Sequence, residues 1–221
     1  MLNNSYFPSK SFGMLVSGGC DSVGACHYLA KKGFDLFVIH VNQRYIKSDD
    51  LAAQRVAQFC EDNNLKYQIL TPENKMVGNG VEDSSRRIRW SAIRKFCKEN
   101  PRTQLKYLCA AHILEECVES YINRMLHGEL NYAPIPPICE YEETTVFRPF
   151  MEVSKRFFRE YLNKNNLEQY ITEDPLNYDT KLRRAFIRHS IVPLIESKYK
   201  GLNTVVKKIM KKHMENKLVF S

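Results

Sequence analysis

The chain has 221 residues, of which 43% are hydrophobic and 26% are charged, and its formal net charge is +8. This length accommodates one good-sized domain with a smaller appendage, and the composition is that of a soluble globular protein. No apolar run reaches the roughly 20 residues of a membrane-spanning helix, residues 1–10 lack the apolar core of a secretion signal, and seven cysteines are an odd number for a disulfide framework. We therefore expect a cytoplasmic chain with reduced thiols, either monomeric or oligomeric.

Strand-like and helix-like runs alternate along the first 126 residues. The predicted strands are 13–16, 36–41, 66–70 and 107–110, and the predicted helices are 22–32, 49–63, 82–98 and 114–126. This alternation predicts an α/β fold of the Rossmann-like kind, an open and mostly parallel sheet with helices on both faces.

The pattern changes after residue 128. Residues 131–137 contain three prolines and predict a loop, and from 153 onward only helices are predicted, at 155–165, 181–198 and 203–217. We therefore expect an α/β domain over 1–150 and a small helical appendage over 151–221.

The appendage carries the positive charge of the chain. Residues 180–217 hold eleven lysines and arginines against two glutamates, so this segment is +9 and the remainder is close to neutral. Such asymmetry favours a polyanionic partner at the C-terminal end, although a solvated helix face would give the same composition.

The loop 17–22, with the sequence Ser-Gly-Gly-Cys-Asp-Ser, joins the first predicted strand to the first predicted helix. Two glycines allow a sharp turn and close approach of a ligand, and the N–H groups at a helix N-terminus bind phosphate. No lysine completes a Walker A motif, and Asp21 indicates a Mg²⁺ ion between its carboxylate and a polyphosphate. An ordinary strand-to-helix turn is the alternative. The string resembles the PP-loop of the N-type ATP pyrophosphatases.

Ligands of open α/β sheets bind at the carboxyl ends of the strands, which places residues 17–22, 40–43 and 111–116 at one predicted edge. Arg86 and Arg89 share one helix face, and His112 lies four residues before Glu116 at the start of another helix. An imidazole and a carboxylate at this spacing can bind a metal or transfer protons, whereas glutamates in a first helical turn also simply complement the helix dipole.

Together with the segment 173–189, these elements resemble one family, the tRNA(Ile)-lysidine synthetases. The order and spacing of the family motifs hold from residue 12 to residue 194. The last motif reads Glu-Asp-Pro-Leu-Asn-Tyr-Asp over 173–179 and ends in Ile-Arg-His over 187–189. The chain departs from the family at Ile113, in place of a second histidine, and at Glu115 and Glu116, in place of an aspartate pair.

The resemblance implies that lysine replaces the C2 oxygen of the wobble cytidine in the CAU anticodon of tRNA(Ile), with ATP adenylating that oxygen first. It implies catalytic roles for Asp21, His112, Glu116 and Arg86, with Asp21 holding Mg²⁺. The implied ATP-binding residues are Ser17, Gly18, Gly19, Cys20, Asp21, Ser22, His40, Arg86 and Arg124. The implied tRNA-binding residues are Arg183, Arg184, Arg188, Lys207 and Lys208.

Two other functions remain open. One is a tRNA thiolase of the same PP-loop superfamily, although no two cysteines here have the Cys-x-x-Cys spacing of the cluster-bearing thiolases. The other is an RNA-binding protein that has kept the fold but lost the chemistry, which the glutamates in place of aspartates would permit. A bare RNA-binding protein would form no AMP.

Overall fold

The computed structural model describes residues 7–73, 81–100, 105–129, 134–141 and 144–215. Within these residues, six strands form one sheet: β1 (Ser11–Leu15), β2 (Asp35–Val41), β3 (Lys66–Leu70), β4 (Tyr107–Ala110), β5 (Ile138–Tyr141) and β6 (Thr144–Phe147). Their order across the sheet is β3-β2-β1-β4-β6-β5, and every neighbouring pair is parallel except the antiparallel β5 and β6.

The helices are α1 (Cys20–Lys31), α2 (Lys47–Asp62), α3 (Val81–Glu99), α4 (Leu114–Met125), α5 (Lys155–Lys164), α6 (Arg183–Phe186), α7 (Val192–Lys198) and α8 (Leu202–Glu215). Two 3-10 turns, Glu168–Tyr170 and Pro175–Tyr178, precede α6, and a π-helical turn, Ile187–Ile191, joins α6 to α7. None of the helices in the described ranges is long and apolar enough to cross a membrane.

The sheet has a core on each face. Phe12 and Met14 of β1 are fully buried against α1 and α5, whereas Leu15 belongs to a second cluster that contains Ile39 of β2 and Ile93 of α3. Successive side chains of a strand point to opposite faces, so one strand serves both cores. The predicted α/β fold, with a mostly parallel sheet and helices on both faces, is confirmed.

The β5–β6 hairpin was not predicted. Its strands are only four residues each, and residues 134–137 before it form the predicted irregular loop, whereas 131–133 lie outside the described residues. The predicted helix 181–198 is interrupted by the π-helical turn, which ends two residues before Pro193. A proline lacks the N–H that an α-helix needs, so the hydrogen-bond register changes there.

The residues after 150 pack on those before it. Gly24 of α1 lets α5 approach so closely that an added Cβ would lie 2.8 Å from the Phe158 ring. On the other side, Val206 and Met210 of α8 share a core cluster with Ile122 of α4. Both parts of the chain thus contribute to the same cores. The predicted domain division at residue 150 stays a prediction.

Candidate active site

The loop between β1 and α1 is a sharp turn that hydrogen bonds of its own side chains hold in place. Gly18 has φ +90°, a conformation that suits glycine, and an added Cβ would lie 3.3 Å from the Ala52 Cβ. The Ser22 hydroxyl accepts a hydrogen bond from the Ser17 N–H (3.1 Å) and lies 3.1 Å from the Gly19 carbonyl, to which it donates. These bonds fix the turn at the start of α1, where the first N–H groups of a helix lack intrahelical partners and can bind an anion.

Asp21 lies in the first turn of α1 with its Oδ1 buried and without a hydrogen-bond partner. Burial raises the pKa of this carboxyl to about 6, Lys155 opposes the rise, and Glu116 and Glu115 add to it. A buried carboxylate oxygen without a hydrogen-bond partner is a position that a bound cation would satisfy. No group of three or more candidate metal ligands occurs in the described part of the chain, and Mg²⁺ fits because it takes one or two carboxylates together with phosphates and water.

A cleft of about 400 Å³ opens beside this loop, at the carboxyl ends of the central strands. It brings together ten of the residues that the sequence predicted, namely Ser17, Gly19, Asp21, Ser22, His40, Arg86, His112, Glu116, Arg124 and Arg184. Gly18 and Cys20, also predicted for ATP, do not line it; Cys20 lines the adjoining cleft. The roles of all these residues remain predictions.

The two histidines of the cleft are kept uncharged. His40 places Nδ1 2.8 Å from the Val16 carbonyl, to which it donates, and burial lowers its pKa while that bond opposes the shift. For His112, burial and, after it, the charge of Arg148 together lower the pKa to about 3. Its Nδ1 is buried and has no partner. At neutral pH, His112 is therefore an uncharged hydrogen-bonding group and a weak base.

The three glutamates of α4 make different contacts. Glu116 accepts a hydrogen bond from the Ile113 N–H at 3.1 Å, which satisfies the start of its own helix. Both oxygens of Glu115 accept from the Lys155 N–H, at 3.0 and 2.9 Å, and so tie α5 to α4. The three glutamates therefore have different structural roles: Glu116 caps its own helix, Glu115 connects α4 to α5, and Glu119 forms a buried ion pair.

That ion pair involves a residue predicted to bind tRNA. Arg188 donates from Nε and Nη2 to the two oxygens of Glu119, at 2.6 and 3.0 Å, and from Nη1 to Asn177 Oδ1 at 3.1 Å. The Glu119 side chain is 4% exposed and that of Arg188 is 29% exposed. These bonds raise the pKa of Arg188 and occupy its guanidinium, so the geometry favours a positioning role over a phosphate contact.

The other residues predicted to bind tRNA lie either in the cleft or on the exposed surface outside it. Arg184 lines the cleft, whereas Arg183 is exposed with Nη1 2.8 Å from His127 Nε2. Lys207 and Lys208 are exposed on α8. Binding of RNA by these side chains stays a prediction.

A second cleft of about 1240 Å³ adjoins the first, and Asp21 and Glu116 line both. Lys155 and Arg159 of α5 face it, and neither was predicted. The signal available in the sequence was Ser154, directly before the predicted helix 155–165. Its Oγ accepts a hydrogen bond from the Phe157 N–H and so fixes Lys155 as the first residue of α5. Arg148 was also missed; it is 4% exposed and donates from Nη1 to the Pro136 carbonyl at 2.7 Å.

Comparisons with known proteins agree with this geometry. The PP-loop domain family model matches residues 1–195. Two proteins named tRNA(Ile)-lysidine synthase are each 27% identical to the chain, one from Chlamydia caviae over 85% of this chain and 58% of its own length, and one from Mycoplasma mycoides over 96% and 54%. The chain spans about half the length of the curated relatives that it matches.

Solved structures show the same fold. A U34-tRNA thiolase from Methanococcus maripaludis aligns with a TM-score of 0.70 at 16% identity, over 93% of this chain and 72% of that one. An NH3-dependent NAD synthetase from Campylobacter jejuni aligns with a TM-score of 0.51 at 16% identity, over 96% and 89%. From the loop geometry, the sheet order and the match over residues 1–195, we conclude that this chain belongs to the PP-loop domain family.

Proposed function

We propose that the chain adenylates the wobble cytidine of a CAU-anticodon isoleucine tRNA with ATP and that lysine then displaces the adenylate, which gives lysidine, AMP and pyrophosphate. The similarity to proteins named tRNA(Ile)-lysidine synthase supports the substrate. The observation that carries the chemistry is the orphaned Asp21 carboxylate in a cleft that also holds the phosphate-type loop and an uncharged His112.

The triphosphate of ATP would lie against the loop 17–22. Ser17, Gly19 and Ser22 line the cleft there, and the N–H groups at the start of α1 complement a negative charge. Asp21 would hold Mg²⁺, which when bound neutralises charge on the phosphate oxygens. Lys155 lies close enough to affect the pKa of Asp21, so α5 would supply the cation that the loop itself lacks.

The cytidine would enter from the side of α3 and α4. Arg86 and Arg184 line the cleft there and offer charge to the oxygens that become negative during adenylation. His112 has a pKa of about 3, so it would orient the base through a hydrogen bond and would not carry a positive charge. Glu116 has one oxygen on the Ile113 N–H, and its other oxygen would take a proton from the lysine amine before attack.

The direct test is to measure AMP and pyrophosphate release with the isoleucine tRNA, with and without lysine. We expect tRNA-dependent AMP release by the wild-type chain, and loss of release with retained tRNA binding in Asp21→Asn. A thiolase would instead need a sulfur donor for turnover, and a non-catalytic RNA-binding protein would release no AMP. Either of those two results would refute the proposal.

A further inference from the structure

The 3-10 turn Pro175–Tyr178 presents an aromatic pair at the mouth of the second cleft. The rings of Tyr178 and His189 stack with their centroids 5.6 Å apart and their planes at 23°. Both residues line the cleft, and Tyr178 is 58% exposed although its ring has a stacking partner. A large aromatic surface is therefore offered to solvent in a fixed orientation.

The pair is held by hydrogen bonds on both sides. His189 Nε2 lies 2.9 Å from the Asn177 carbonyl, and the Tyr178 hydroxyl donates to Glu173 at 3.4 Å. Arg188 donates hydrogen bonds both to Glu119 and to the Asn177 side chain, and so connects the turn to α4. Because the ring is already restrained, stacking on a ligand would cost little additional side-chain conformational entropy.

The charges around the turn select the part of a nucleic acid that would contact it. Glu173, Asp174 and Asp179 would repel a phosphate at the turn itself, whereas Arg183 and Arg184 follow directly in α6. A base has an uncharged π-face and stacks on an aromatic ring in any sequence context. Single-stranded RNA is recognised largely through such splayed, stacked bases.

We infer that Tyr178, backed by His189, is a stacking platform for an unpaired RNA base that flanks the reacting nucleotide. This inference rests on the proposed function, because the second cleft continues into the one that holds Asp21. An extended strand that delivers one base to the first cleft would pass over the Tyr178 ring with its neighbouring base, while its phosphates face α6.

The test uses the anticodon stem-loop of the CAU isoleucine tRNA, with 2-aminopurine placed on either side of the wobble cytidine. Binding is measured by fluorescence at several salt concentrations for the wild-type chain, Tyr178→Ala, Tyr178→Phe and the control Tyr199→Ala. Tyr199 is a matched control because it is an even more exposed tyrosine, at 77%, in the same C-terminal part. Circular dichroism confirms that each variant is folded.

We expect Tyr178→Ala to weaken binding about 10- to 100-fold, to leave the salt dependence unchanged and to abolish quenching of one 2-aminopurine. Tyr178→Phe and Tyr199→Ala should bind like the wild type. The inference is overturned if Tyr178→Ala binds within twofold of the wild type, if Tyr178→Phe is as weak as Tyr178→Ala, or if the salt slope falls by about one, which marks a lost phosphate contact.

The two proposals fail in different ways. Lysidine formation by both the wild type and Tyr178→Ala, with equal RNA affinity, would refute the platform and leave the proposed function intact. Stacking of the 2-aminopurine on Tyr178 without lysidine formation would refute the proposed function alone. Failure of the wild-type chain to bind the RNA at all would refute both.

Discussion

Removal of Arg188 should destabilise the fold more than it weakens RNA binding. Glu119 is 4% exposed and accepts two hydrogen bonds from Arg188, so Arg188→Ala would leave a buried carboxylate without its cation. Breaking a buried pair from one side costs about 3–5 kcal/mol. The side chain of Arg188 is 29% exposed and water can partly replace it, so we expect the lower end, about 3 kcal/mol.

The assay is urea unfolding followed by circular dichroism. With a urea dependence of about 2–3 kcal/mol per molar, a loss of about 3 kcal/mol lowers the unfolding midpoint by roughly 1–1.5 M. The double variant Arg188→Met with Glu119→Leu removes both charges and should recover most of this loss. The control is the exposed pair Arg156–Glu160, with side chains 86% and 63% exposed, whose removal should change stability by less than about 0.5 kcal/mol.

An unchanged urea midpoint in Arg188→Ala, together with a flatter salt dependence of RNA binding, would refute this reasoning. It would mean that the guanidinium contacts a phosphate in the complex and that its pairing with Glu119 is incidental. That outcome would restore the role that the sequence alone predicted for Arg188.

Three other predictions concern the loop and α5. Asp21→Asn should abolish AMP formation and raise the melting temperature more at pH 8 than at pH 4. Burial raises the pKa of Asp21 to about 6, so the ionised carboxylate destabilises the fold above that pH, and this destabilisation disappears as the pH falls toward the pKa of Asp21 in the unfolded chain. An equal change in melting temperature at both pH values would contradict this. Gly24→Ala should lower the unfolding free energy by about 1–3 kcal/mol through overpacking against Phe158, and the added change Phe158→Leu should recover part of it; no recovery would exclude the clash as the cause. Lys155→Met should raise the KM for ATP in pyrophosphate exchange at least tenfold, whereas Arg156→Met on the same helix should not. Equal effects of the two changes would show that the Lys155 charge has no specific role in ATP binding.

Much of the fold could be predicted because its signals are local. The loop 17–22 is a motif of six consecutive residues, and the buried strands β1 and β2 are short apolar runs bounded by turns. The hairpin of β5 and β6 was missed because its short strands contain polar residues such as Glu140, Thr144 and Thr145, whereas the equally short β4 is an apolar run. Tertiary pairing with β4 gives β6 its place in the sheet.

The candidate site was only partly predictable for a similar reason. A motif gives the residues that reach a cleft, but their partners come from distant parts of the chain. Glu119 and Arg188 are 69 residues apart, and the Glu115 carboxylate meets the Lys155 N–H across 40 residues. No spacing along a helix indicates such contacts, so residues that appeared alike in sequence proved to have separate structural roles.

The central claim is that this chain joins lysine to a tRNA base. The most direct measurement is incorporation of radiolabelled lysine into a CAU-anticodon isoleucine tRNA, with and without ATP and Mg²⁺, beside the methionine tRNA that has the same anticodon. We predict ATP-dependent label in the isoleucine tRNA and none in its methionine counterpart. Absence of label in a preparation that binds the isoleucine tRNA would contradict the claim.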